Sequence, residues 1–294
     1  MMDLRQAYQS IFLAVNEKIS PQFSTAAFIL LLFFPFFASA QGDLLITPRR
    51  VVFEGNRQRQ EITLANTGQD TATYSVSFVQ YHMTEEGSFE VVTEPKEGQL
   101  FADSYLRFFP RTVTLAPNES QIVRMQVRRM PGMEDGEYRS HVYFRAVPVE
   151  RPLGEEELQR DSAAIGVRLT PIFGITIPVI IRVGDTSAKV TLSDLNIVED
   201  EDKNKQLKIT FLREGNQSVY GDVEVIHQGP DETETPVGTV RGIAVYTPNT
   251  IRKFTLPLTV PEGVDISRGK LTVRYSSSND AKPEIFDEQV IQVP

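Results

Sequence analysis

The chain has 294 residues, 40% hydrophobic and 23% charged, with a formal net charge of −9. That suits a globular protein of about two domains, and the lack of any basic block or interleaved basic and aromatic run argues against nucleic acid as a partner. There is no cysteine, which excludes a disulfide framework and any thiolate metal site.

The N-terminus carries an apolar run, Ala26 to Phe37, followed by Ala38-Ser39-Ala40-Gln41. An apolar core of that size ahead of an A-x-A site reads as a secretory signal peptide over residues 1–40, cut after Ala40. The run is shorter than the ~20 residues an unaided membrane span needs, and Pro35 breaks its end. An uncleaved signal anchor is the competing reading. The stretch ahead of the core is long and its charges cancel, Asp3 and Glu17 against Arg5 and Lys18. That points to a translation start downstream of Met1 and leaves the −9 with the exported chain. No cysteine follows the run, so a lipid-modified cysteine is excluded.

From Gln41 onward, apolar alternation recurs between turn signals at the spacing of an all-β sandwich. Leu44 to Phe53 reads as a first strand interrupted by Pro48, and Glu61 to Ala65 as a second, closed by the turn Asn66-Thr67-Gly68-Gln69-Asp70. Tyr74, Val76 and Phe78 mark the next strand and Glu85-Glu86-Gly87 a hairpin tip. Thr112 to Leu115, Ile122 to Val127 and Tyr138 to Val147 follow, with Pro131 to Gly136 a loop. About six strands thus precede the longest one, the number an immunoglobulin-like sandwich needs. Between Pro148 and Ile165 the chain is polar and acidic, a loop or one helical turn.

The longest alternating stretch is Ile165 to Val183, IGVRLTPIFGITIPVIIRV, with Leu169, Phe173, Ile175 and Ile177 on one face. At ~3.3 Å per residue it would span roughly 60 Å, against ~17–20 Å for an ordinary strand. Pro171 and Pro178 lack a backbone donor and are tolerated only at an edge. The expectation is a long, apolar, exposed edge strand over 165–183. Such an edge is an aggregation hazard unless another chain pairs with it. The alternative is two shorter core strands with a bend at Pro171 or Pro178.

Gly184-Asp185-Thr186-Ser187 is the best linker, dividing a domain of residues 41–183 from one of 184–294. Beyond it seven short strands read as a second sandwich, and Asp200 to Lys205 as a solvated hairpin tip lacking the carboxylate spacing of a calcium loop. Catalytic chemistry finds no support. His82, His141 and His227 are the only histidines and fall in separate strands, without zinc-ligand spacing. No nucleophile elbow, phosphate loop or dinucleotide fingerprint occurs. Asn118-Glu119-Ser120 and Asn216-Gln217-Ser218 match a glycosylation pattern short enough to arise by chance. An enzyme, a cofactor, a metal and a small-molecule substrate are not expected.

Four places resemble the PapD-like periplasmic chaperones of pilus assembly. Arg50-Val51-Val52-Phe53-Glu54-Gly55 is similar to that family's opening strand, and Phe109 to Glu119 to its proline-containing strand and following turn, with Asn118 where glycine is usual. Tyr143 to Pro148 resembles the strand ending in arginine and proline, and the long alternating strand stands in the place of the donor strand. The resemblance implies two immunoglobulin-like β-sandwich domains in an exported, periplasmic chaperone. Its partners would be secreted pilus or fimbrial subunits, each lacking one strand, and an outer-membrane assembly pore. Leu169, Phe173, Ile175 and Ile177 would enter the subunit core. In the family an arginine and a lysine hold the subunit's terminal carboxylate between the domains. Arg50 matches the arginine, but the lysine's place is taken by Pro178, and no lysine lies between Lys96 and Lys189. Arg182, Arg168 or Arg49 would then supply the second charge, Arg182 first among them. The rival reading is a structural or adhesive surface protein whose edge strand is occupied by its own next copy.

Overall fold

Prolines and glycines cut the chain after Leu44 into short extended segments, and within each the alternation of apolar and polar residues decides which face turns inward. The computed structural model describes residues 44–128, 130–148, 172–278 and 283–293. The leader expected over residues 1–40, the acidic segment and the first part of the long strand, with Leu169 and Pro171, lie outside the described residues.

In chain order the first strands are β1 (Leu44–Thr47), β2 (Val51–Phe53), β3 (Arg59–Asn66), β4 (Ala72–Val79), β5 (Tyr81–Met83) and β6 (Phe89–Val91). One 3₁₀ turn (Asp103–Tyr105) precedes β7 (Leu106–Phe109), β8 (Thr112–Leu115), β9 (Ser120–Val127), β10 (Gly136–Ala146) and β11 (Gly174–Val183). The sheets β1-β3-β9-β7 and β2-β11-β10-β4-β8 face each other. Their inward residues, among them Phe53, Ile62, Leu64, Val123, Val142, Phe144, Val179 and Ile181, make one core. The strands β12 (Ala188–Glu199), β13 (Lys205–Gly215), β14 (Val219–Gln228), β15 (Glu234–Val245), β16 (Ile251–Pro257), β17 (Gly269–Ser277) and β18 (Ile285–Val293) form the sheets β12-β13-β16 and β15-β14-β17-β18. These close on a second core around Phe211, Val223, Val225, Leu271 and Tyr275. The fold is all-β, two sandwiches on either side of Gly184, and all described residues belong to one compact unit, Asp43–Pro294.

Four expectations change. Leu44 to Phe53 is not one strand: β1 pairs with β3 in one sheet and β2 with β11 in the other. Pro48 cannot donate to a ladder, so the chain leaves the first sheet there and crosses to the second. Among the described residues ten strands, not six, precede the long one, because Leu44 to Phe53 divides and short β5, β6 and β7 carry little alternation of their own. Third, β11 is not an edge along its whole length. It pairs antiparallel with β10 from Gly174 to Val183, while Val179–Ile181 also pairs parallel with β2. Among the described residues, Gly174 to Pro178 at one end and Arg182–Val183 at the other have a neighbour on one side only. Fourth, Ile177 is 3% exposed and belongs to the protein's own core, as do Val179 and Ile181.

The hairpin β5–β6 stands apart as a two-stranded sheet. Its tip reaches the second sandwich, where the Lys253 amide donates to the Glu85 carbonyl at 2.7 Å and Asn249 Nδ2 donates to the Met83 carbonyl at 2.6 Å.

Candidate partner-binding site

On β11 the odd residues point into the sandwich and the even residues away from it. The Ala146 amide donates to the Phe173 carbonyl at 2.8 Å. Alternation of hydrogen-bonding direction along an antiparallel strand therefore turns the peptide groups of Gly174, Thr176 and Pro178 away from β10. At Ile180 that side is taken by β2; from Gly174 to Pro178 no strand among the described residues pairs on it. Pro178 occupies a position where no ladder bond to β10 is lost, which is why the strand runs straight through it. Along this half-edge the apolar row that fills the core at Ile181, Val179 and Ile177 emerges from it. Ile175 is 38% and Phe173 47% exposed. On the opposite face the Tyr143 ring occupies the space a Cβ on Gly174 would need.

At the other end of β11 lies a cleft between the sandwiches, about 290 Å³. Its floor is the outward face of the sheet: Arg50 just before β2, Ile180 and Arg182 on β11, Glu137 and Arg139 on β10. Its other wall is Ser218, just ahead of β14, with Val219 and Tyr220 of β14 and Phe286. The register explains the grouping. Val51 stands beside Val179, so Arg50 falls beside Pro178, while Arg139 pairs with Ile180 and Glu137 with Arg182.

The cleft therefore brings Arg50 and Arg182 together, and adds a third guanidinium, Arg139. Against them stand Glu137, the one carboxylate buried among the described residues, and Glu284 at the exposed rim. Glu137 accepts from Arg139 Nη2 at 2.5 Å and from the Ser218 amide at 3.2 Å, and Arg182 Nε lies 3.5 Å from it. Burial alone would raise its carboxyl, but Arg139, the Ser218 amide and Arg182 together hold it below the usual carboxylate range. Arg182 also pairs with Glu54 at 3.2 Å. Arg50 pairs with no carboxylate among the described residues; its guanidinium sits 4.3 Å from the Tyr220 ring centre. Burial pulls it down from its ordinary value, and Arg139 adds repulsion. A partly desolvated guanidinium without a carboxylate partner among the described residues, as at Arg50, suits a planar anion such as a carboxylate.

The wall is held by Arg213, buried in the second sandwich. Its Nε donates to the Asn249 carbonyl at 2.8 Å, and Nη1 donates to the carbonyls of Gly215 and Gln217 at 2.7 and 2.9 Å. That fixes the turn carrying Asn216, whose carbonyl accepts from the Glu137 amide at 3.1 Å. The three histidines stay apart. His141 packs edge-on against Tyr81 and Phe89, and His227 Nε2 lies 2.8 Å from the Arg268 carbonyl. No group of three or more metal-ligating side chains occurs among the described residues, and no helix among them is long and apolar enough to cross a membrane.

Arg139 and Tyr246 carry only a faint signal in the sequence. Glu137, Arg139 and His141 are alternate residues of a strand whose other face is apolar, and three such residues in a row mark a covered face.

No protein-family model and no curated protein matches the chain. Solved structures that resemble it include a chain of the CsuC–CsuE chaperone–tip adhesion subunit pre-assembly complex from archaic chaperone-usher Csu pili of Acinetobacter baumannii. That match has 11% identity and a TM-score of 0.45, covering 84% of this chain and 98% of that one. The class 5 fimbriae chaperone CfaA matches at 15% identity and TM-score 0.40, covering 85% and 99%. The CupB2 chaperone of Pseudomonas aeruginosa matches at 13% identity and TM-score 0.40, covering 85% and 100%.

Proposed function

We propose that this chain is a periplasmic chaperone that binds and caps secreted pilus or fimbrial subunits by lending them a strand, and that it is not an enzyme. The carrying observation is the half-edge of β11: the apolar row of the core leaves the sandwich at Ile175 and Phe173 beside a backbone edge with no strand on it among the described residues. A partner missing one strand would gain main-chain bonds from Gly174 and Thr176 and fill its core with those two side chains. Each would contribute ~1.5–3 kcal/mol on full burial. Leu169, of the same alternation in the sequence, would extend the contact.

The cleft at the far end suits the partner's terminal carboxylate, with Arg50 as first anchor and Arg182 in reach of the same space. An anchor at one end fixes the register of the inserted row, since a one-residue slip would turn every apolar side chain to the wrong face. The work needs no nucleotide or metal, because the subunit trades an incomplete fold for a complete one on release.

The test is co-purification of the tagged protein from its native periplasm, with mass spectrometry of what accompanies it. A near-equimolar small secreted β-protein, lost with Arg50→Ala or Phe173→Asp while both variants stay folded, supports the reading. Recovery of the protein alone, or of envelope polymer, overturns it in favour of a structural role.

A further inference from the structure

A carboxylate held by Arg50 alone would be weakly anchored, and the strand position beside Arg50 is Pro178, which carries no charge. Resting on the capping role above, we propose that Arg139 supplies the second cation, from the neighbouring strand. Pro178 pairs with His141 and Ile180 with Arg139, so Arg139 is the diagonal neighbour of Pro178 on the same face, a spacing of ~7–8 Å that long side chains bridge.

Arg139 has the attributes of a binding group. It is 7% exposed, yet its Nε and Nη1 find no hydrogen-bond partner among the described residues. Only Nη2 is engaged, by Glu137. Tyr246 lies against the guanidinium at 3.6 Å and holds its plane. A buried cation with two idle nitrogens is costly as a purely structural element, and a carboxylate arriving in the cleft can accept from Nη1, the end of the guanidinium next to the Nη2 that Glu137 holds. Arg182 is placed less well for this task, since Glu54 and Glu137 already claim it. Glu137 then acts as an internal counter-ion that keeps the arginine cluster tolerable while no client is bound, and it competes with the client's carboxylate.

The test uses the exported chain and one probe, an acetylated peptide of alternating valine and threonine ending in tyrosine, made with a free C-terminal carboxylate and as the C-terminal amide. Calorimetry gives the ratio of the two Kd values. The wild type is expected to favour the carboxylate at least tenfold, and Glu137→Gln to widen that preference by removing the competitor. The double variant Glu137→Gln with Arg139→Gln removes the buried pair together, strands no charge, and is expected to abolish the preference. Arg139→Lys, which keeps a counter-charge for Glu137 but loses the planar fork, is expected to fall between. A preference that survives the double variant and vanishes in Arg182→Gln overturns the assignment to Arg139 while leaving carboxylate anchoring in place. A wild type that does not distinguish acid from amide overturns the anchor itself, and Arg139 with it.

Discussion

The guanidinium of Arg139 lies 3.6 Å from the ring centre of Tyr246, a contact between a strand of the first sandwich and the end of β15 in the second. Around it run further links between the sandwiches. The Ser218 amide donates to Glu137, Phe89 of the hairpin packs 5.9 Å from Tyr246, and the hairpin tip is bonded to β16. The geometry of the cleft is thus set by groups from both sandwiches.

Removing the buried acid alone strands two arginines. Glu137→Leu is expected to cost ~3–5 kcal/mol in urea unfolding. Glu137→Leu combined with Arg139→Met is expected to recover most of that, because the charge pair leaves together. Equal losses in both variants would show that packing, not charge, sets the cost.

Two groups shape the acid limb of stability, in different windows. Burial, with Arg139 second, lowers His141 from the ordinary 6.5 to about 3, so between those values the unfolded chain binds a proton the folded one refuses. Stability should fall as pH drops from 6.5 towards 3, at up to ~1.4 kcal/mol per pH unit. His141→Phe should flatten this slope. Glu137 has a depressed folded value, so its contribution is complete above the ordinary 4.5 and is lost as pH falls through the lowered value. Glu137→Gln should therefore lower stability throughout the range above 4.5 and change the slope only below it. Chemical denaturation at closely spaced pH values separates the two.

Neighbouring residues of the same apolar row should behave differently. Ile177→Ala removes core volume and should cost ~2–5 kcal/mol of stability. Phe173→Asp should leave the melting temperature nearly unchanged while abolishing client recovery, since Phe173 is half exposed. A large stability loss in Phe173→Asp would place that residue in the protein's own core.

The hairpin clasp depends on Gly87. Its φ of +84° is one that other residues rarely adopt, and a Cβ there would collide with the Arg252 guanidinium. Gly87→Ala should destabilise by ~1–3 kcal/mol and speed proteolytic cleavage at the hairpin. The exposed Lys253–Glu85 pair, 2.7 Å apart, should matter little, within ~1 kcal/mol. Thermal melts of both variants rank the two contributions.

Much of this was legible in the residues. Alternation gave β3, β4, β8, β9 and β10 nearly to their ends, and the seven strands of the second sandwich. The turn at Asn118 was visible as well, and its φ of 61° explains why glycine suits that place and asparagine is tolerated. Arg50 was singled out only by the resemblance of Arg50-Val51-Val52-Phe53 to the opening strand of the pilus chaperones. Arg139 did not, because a buried arginine within a strand looks like any interruption of apolar alternation until its partners across the cleft are known.

By itself the sequence determined the all-β class, the two sets of strands and the row of alternating apolar residues on β11, because these depend on local periodicity and on proline and glycine. Only the tertiary structure decided where that row stops being core. Ile177 and Phe173 have the same parity and similar side chains, and nothing local separates them. The packing makes the difference: Ile177 still reaches the first core while Ile175 and Phe173 lie beyond it, and β2, which begins beside Val179, leaves Gly174 to Pro178 with no second strand beside it among the described residues. Likewise three arginines far apart in the chain become one cationic cleft only because a parallel and an antiparallel register bring Arg50, Arg139 and Arg182 to the same face of one sheet.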